Sequence, residues 1–219
     1  MEQLVGRRTA RVALISVLAL GLGIIAAVAG FNPGPGPKTQ FTANDITGAR
    51  WARSLELTDH TGRRRTLADF RGKVVLVFFG YTNCPDACPT ALAEMAQVVR
   101  QLGPAGDEVQ GLFITVDPER DTPEKLASYV PAFRSSFLGL RGSMSEIREV
   151  ASEFKIYFQA QKARAREHSS HGADHGSYMV DHSTGIYAFD RQGQVRLYFS
   201  ANSRTVETMV NDIKVLLRQ

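Results

Sequence analysis

The sequence predicts an α/β domain, a mixed sheet with flanking helices, carried behind one N-terminal transmembrane helix. Three observations predict it. Val74 to Phe79, VVLVFF, is a continuous apolar run of the kind buried on both faces of a sheet. Val109 to Val116 is a second such strand, and Leu92, Met95, Val99 and Leu102 recur at helical spacing between the two. Val12 to Gly30 carries no charge over a length within the roughly 17–25 residues that span a bilayer.

The N-terminal run sets the expected compartment. Arg7, Arg8 and Arg11 precede it, so residues 1–11 should stay cytoplasmic and everything beyond residues 12–30 should be exported. Ala27-Val28-Ala29 has the small residues of a cleavage site, but the run exceeds the roughly 7–15 apolar residues of a signal peptide, which favours a retained anchor. Residues 31–38 include Asn32-Pro33-Gly34-Pro35-Gly36-Pro37, which can pack no core and should form a stiff tether. The N-terminus is too short and Ser-poor for a mitochondrial transit peptide. The expected location is a bacterial inner membrane, single-pass, with the domain at 39–219 in the periplasm.

Within that domain, Leu55 and Leu57 alternate with polar neighbours and precede a turn at Asp59-His60-Thr61-Gly62, which reads as a short hairpin with a solvated His60. Gly80 and Tyr81 lead from the strand at Val74 to Phe79 into Cys84, and Gly103-Pro104 stops the helix beyond. After the strand at Val109, Asp121-Thr122-Pro123-Glu124 combines a capping side chain, an early proline and a first-turn acid. Asp117 to Asp121 reads as a loop and cap without chemistry. Ser143-Met144-Ser145-Glu146 matches a capping box, followed by Ile147, Val150, Ala151 and Phe154 on one helical face. Gln159 to Gly176 is polar, fits no element and reads as an exposed loop. Ile186 to Phe189 and Val195 to Phe199 are strands joined by a turn at Gly193, and Val206 to Leu217 closes the chain as an amphipathic helix. A βαβ half followed by a ββα half is the thioredoxin arrangement.

Composition excludes several classes. The chain has 219 residues, 43% of them hydrophobic, and a net charge of +4. Setting aside Glu2, Arg7, Arg8 and Arg11 leaves only +2, with no basic stripe to neutralise nucleic-acid phosphates. Two cysteines do not make a disulfide-dense scaffold.

Those two cysteines carry the chemistry. Cys84-Pro85-Asp86-Ala87-Cys88 lies just after the first core strand, at the start of the first helix. Helix N-termini favour thiolates, and a separation of four residues aims both sulfurs at one point. The pair suits a disulfide or a two-thiolate metal site. Closing so short a loop makes a poor structural staple. Three intervening residues, against two in thioredoxin-like reductases, favour a bridging metal, and soft thiolates select Cu(I) or Zn(II). A third, imidazole ligand would favour low-coordinate Cu(I) over four-coordinate zinc. His182, in Tyr178-Met179-Val180-Asp181-His182-Ser183, precedes the strand at Ile186, and in a thioredoxin fold this loop faces the first helix. No proline follows Pro131, so the cis-proline of thioredoxins is absent. His168, His171 and His175 lie in the polar loop and offer at most accessory metal capture. Asp86 and Asp181 flank the proposed ligands and could orient them by hydrogen bonds, with helix capping an equal alternative for Asp86.

Gly80-Tyr81-Thr82-Asn83-Cys84-Pro85-Asp86-Ala87-Cys88-Pro89-Thr90, then Thr115 to Pro123 (TVDPERDTP), then Val180-Asp181-His182-Ser183 resemble the Sco/SenC copper chaperones. Leu67 to Lys73 (LADFRGK) fits as well, and the resemblance spans about Leu55 to Leu217. It implies a thioredoxin fold, copper bound by Cys84, Cys88 and His182, and delivery to the copper A centre of cytochrome c oxidase subunit II, or reduction of that subunit's cysteines. An upstream copper donor and a thiol reductant are implied partners, and no nucleic acid. One departure is Asn83, where the family commonly has histidine. A metallochaperone without turnover is the expected function. The alternatives are a thiol–disulfide reductase, which has no chemical need of His182, and a copper or redox sensor. A thiol peroxidase would need a polarising constellation that the sequence does not present.

Overall fold

The computed structural model describes residues 41–161 and 178–219. The expected cytoplasmic segment 1–11, anchor 12–30, tether 31–38 and accessory histidines His168, His171 and His175 lie outside the described residues. Among the described residues no helix is long and apolar enough to cross a membrane.

The strands are β1 Asn44–Asp45, β2 Glu56–Asp59, β3 Arg64–Thr66, β4 Val74–Gly80, β5 Val109–Thr115, β6 Leu138–Arg141, β7 Phe158–Ala160, β8 Val180–His182, β9 Ile186–Phe189 and β10 Val195–Phe199. The helices are α1 Ala87–Gln101, α2 Pro123–Phe133, α3 Met144–Glu153 and α4 Val206–Leu217. Eight strands form one mixed sheet in the order β1-β10-β9-β4-β5-β6-β2-β3. At its centre β4 pairs in parallel with β5, Val74 opposite Val109 through Gly80 opposite Thr115, and antiparallel with β9. Every residue of β4 and β5 is buried, as the unbroken apolar runs require.

Successive residues of β4 serve opposite faces. Phe78 meets Phe113, whose ring contacts Tyr129 of α2, while Phe79 meets Phe154 just beyond α3. Helices therefore cover both faces, with β4-α1-β5 and β9-β10-α4 as the expected halves. Local chemistry sets the helix starts. The Thr122 side chain accepts from the Lys125 N–H, and Ser143 with Glu146 closes the capping box at α3.

Two expectations need correction, and one strand is additional. His60 is half-buried, and its Nδ1 accepts the Gly139 N–H at 3.0 Å, tying the β2–β3 turn to β6. β6 is the additional strand: Gly139 lets Leu126 and Val130 of α2 pack directly on it, where an added Cβ would meet both at 3.1 Å. The stretch from Gln159, expected to be irregular, begins in β7, which pairs with β8 as a separate two-stranded ribbon, Phe158 opposite His182.

Candidate metal centre

The site forms where β4 ends against α1. Gly80 is the last residue of the strand, and the Cys88 sulfur occupies the space a side chain would fill. A Cβ at Gly80 would sit 2.8 Å from that sulfur and 2.9 Å from both Phe113 and Phe78. Cys88 is fully buried. Cys84 is half-buried in the turn before α1, with its N–H donating to the Tyr81 carbonyl at 3.2 Å. The helix begins only at Ala87, so the two cysteines share the helix's mouth and not one helical face.

Asp86 occupies the N-cap position but makes no side-chain cap bond. Its carboxylate instead accepts from the Thr90 hydroxyl at 3.4 Å. The Cys88 N–H, a donor of the first turn, points at the Cys84 sulfur at 3.4 Å. Sulfur thus takes the capping place expected for the Asp86 carboxylate, and the positive end of α1 faces Cys84.

His182 comes from β8 across the mouth. Its Nε2 lies 3.3 Å from the Cys88 sulfur. Its Nδ1 lies 2.9 Å from the Ser183 carbonyl, which can only accept, so Nδ1 carries the proton and the Nε2 lone pair faces the sulfurs. Ring edges of Tyr81 and Phe78, with centroids at 5.8 and 6.0 Å, wall the imidazole in. The ligating atoms of Cys84, Cys88 and His182 all lie within 4.8 Å of one another. Asp181 alternates outward on β8 and accepts from the Gln161 side chain. The group orienting His182 is therefore a backbone carbonyl, and neither Asp86 nor Asp181 hydrogen-bonds a candidate ligand.

Asp121 has a role the sequence reading does not assign. Its buried carboxylate accepts from the Thr82 N–H at 3.0 Å, the Thr82 hydroxyl at 2.5 Å and the Thr115 hydroxyl at 2.6 Å. It thereby ties the Tyr81–Cys84 turn to the end of β5. Asn83, where a histidine was the common expectation, is exposed and accepts from Lys125 Nζ at 2.5 Å. The only sequence signal for the Asp121 tie is the polar cluster Asp117–Asp121, which says nothing of its distant partner Thr82.

Burial governs the electrostatics. Desolvation pushes the Cys88 thiol well above its ordinary value, outweighing the stabilisation expected from the helix start. Desolvation also lowers His182, against smaller opposing effects of the Ser183 carbonyl and the Asp181 charge. The imidazole is thus biased toward its neutral, ligating form. A pH dependence follows. Any metal taken by the Cys88 thiolate must displace a proton at every pH below that raised value, so this thiol alone makes apparent affinity fall about tenfold per pH unit on acidification. His182 joins the proton competition only below its lowered pKa. Metal competition titrations at stepped pH are expected to show the slope steepening at the acid end.

A dithiol and an imidazole thus converge at the mouth of a thioredoxin-type βα unit. The SCO1/SenC family model matches residues 43–218. The chain belongs to the SCO1/SenC family. The mitochondrial SCO2 homolog of Bos taurus is 41% identical over 162 residues, covering 73% of this chain and 57% of that protein. A SCO2-like protein of Rickettsia conorii is 36% identical, covering 71% of this chain and 72% of its own. The chain thus spans little more than half the length of the mitochondrial relative. Among solved structures, Bradyrhizobium japonicum ScoI with copper bound matches with a TM-score of 0.63 at 37% identity, covering 75% of this chain and 98% of that one. Yeast Sco1 with copper bound matches with a TM-score of 0.65 at 30% identity, covering 76% and 87%. The thioredoxin-like Sco fold and its flanking helices are thereby shared with proteins solved with copper in place.

Proposed function

We propose that this protein is a copper chaperone that binds copper through Cys84, Cys88 and His182 and delivers it to the copper A centre of cytochrome c oxidase subunit II. The observation that carries the reading is the convergence of two thiols and an imidazole whose Nε2 lone pair is already turned toward them. Two soft sulfurs with one nitrogen suit Cu(I), and a low coordination number leaves the ion open to an acceptor's ligands. Copper is cargo here: it enters from an upstream donor once a thiol reductant has kept Cys84 and Cys88 reduced, and leaves by ligand exchange without turnover. In this reading residues 12–30 anchor the chain in a bacterial inner membrane, and the tether holds the periplasmic domain near membrane-bound acceptors.

One observation favours a second reading, a thiol–disulfide reductase acting on the same subunit. Cys84 is half-buried while Cys88 is fully buried, and the more exposed thiol suits the attacking role and the other the resolving one. That chemistry makes no use of His182. The test is an anaerobic Cu(I) titration of the reduced, detergent-solubilised full chain against a competing chelator, for wild type and His182→Ala. One copper per chain, weakened about tenfold to a hundredfold by the substitution, is expected by analogy with lost metal-site partners. Binding indifferent to His182, or none beyond what the chelator holds, would sink the chaperone reading and leave the reductase.

A further inference from the structure

Tyr157 and Met179 are the large apolar side chains left exposed among the described residues, at 59% and 47%. Met179 stands out by its position. It lies three residues before His182, and Tyr81 lies three before Cys84. The Tyr81 hydroxyl donates to the Met179 Sδ at 3.7 Å, while the edge of its ring packs against the His182 imidazole. Tyr81 is 1% exposed. One buried tyrosine thus touches both the candidate ligand His182 and a half-exposed thioether. Thioether sulfur is a weak hydrogen-bond acceptor, so this bond adds little stability, but it fixes where the sulfur sits.

We propose that Met179 is a relay ligand for Cu(I), holding the ion at the mouth of the site as it enters and leaves. The proposal rests on the copper-binding reading above. A thioether is soft, selects Cu(I), and is neutral at every working pH, so it neither holds a proton that must leave nor adds charge to the complex. On entry, the bond from copper to its donor breaks as the bond to Met179 Sδ forms. Bonds to the Cys84 and Cys88 sulfurs and His182 Nε2 then replace it, and the two thiols release their protons to water. On exit the order reverses, with the acceptor's ligand displacing Sδ. Copper remains Cu(I) throughout and no electron is transferred. Because Sδ stabilises only the ion in transit, it lowers the barrier in both directions equally and leaves the bound state unchanged.

The discriminating variant is Met179→Leu, which preserves volume and apolar surface and removes the donor atom. Stopped-flow capture of Cu(I) from its bicinchoninate complex, and release to excess bicinchoninate, would be followed for the reduced full chain in detergent. Capture and release should each slow about tenfold, equivalent to about 1.4 kcal/mol of barrier, while equilibrium affinity stays within about twofold. Unchanged rates would overturn the relay, and so would a fall in affinity with normal capture, which would make Met179 a resident ligand. A role in apolar packing or docking would survive the leucine and give unchanged rates. A wild-type chain that takes no Cu(I) overturns the copper reading itself. Normal wild-type binding with unaltered Met179→Leu kinetics overturns the relay alone.

Discussion

Replacing Gly80 with valine is expected to drive the Cys88 sulfur from its seat and remove most of the chain's copper affinity. The position has no spare volume. A single Cβ already approaches the sulfur, Phe113 and Phe78 at under 3 Å, and two of these neighbours are fully buried rings with nowhere to retreat. Overpacking of this kind costs about 1–3 kcal/mol for one methyl group, so Gly80→Ala should fall in that range and Gly80→Val above it. For a domain of this size, each kcal/mol lowers the melting temperature by about 2–4 °C. A sulfur displaced from His182 should weaken Cu(I) by about a hundredfold, the upper end of what lost site geometry costs. Thermal unfolding and chelator competition on the three proteins would check this. An alanine variant that melts and binds like wild type would show that the sulfur can move freely, and the seat would have no function.

Asp121→Ala is expected to produce the second large loss. Removing the carboxylate strands the half-buried Thr82 N–H and the fully buried Thr115 hydroxyl, and leaves the Thr82 hydroxyl with only a long bond to Asn83 Oδ1 at 3.4 Å. A stranded buried donor costs about 1–3 kcal/mol, and the half-buried Thr82 N–H adds less, so a total of about 2–3 kcal/mol follows. The turn that presents Cys84 would then lose its buried anchor, keeping its backbone bond to Tyr81, the exposed Asn83–Lys125 bond and the Cys88 N–H on the Cys84 sulfur. Copper release should quicken about tenfold, since an unsupported ligand detaches more easily. Asp121→Asn keeps the shape and one acceptor oxygen, and should recover part of both effects. Denaturant unfolding and copper release rates for the pair provide the check. If alanine lowered stability but left release unchanged, Asp121 would be structural only.

These two residues also mark the limit of what the sequence discloses. Strands with unbroken apolar runs, such as Val74 to Phe79, and caps such as Ser143 with Glu146, are local: their residues meet neighbours a few positions away. Cys84 and Cys88 are legible for the same reason. His182 is legible because it lies in a recognisable motif ahead of β9, and a thioredoxin topology brings that loop to α1. The tie between Asp121 and Thr82 spans 39 positions and leaves no periodic trace. β6 and β7 are short, and β6 contains the glycine that β propensity disfavours. They are strands because β5 and β8 lie alongside them. The capping of α1 by sulfur, in place of the adjacent aspartate, depends on a turn geometry that no residue type announces.

His182 does not belong to the sheet that carries the cysteines. It rides on the β7–β8 ribbon, three residue pairs long and apart from the eight-stranded sheet. Two-stranded ribbons have little stability of their own. An ion held by Cys84, Cys88 and His182 would act as a clasp between the ribbon and the body of the domain. Any opening of the ribbon would then have to break a metal bond, and any withdrawal of the ion would free the ribbon to open. Occupancy would thus be written into the ease with which this edge of the molecule comes apart.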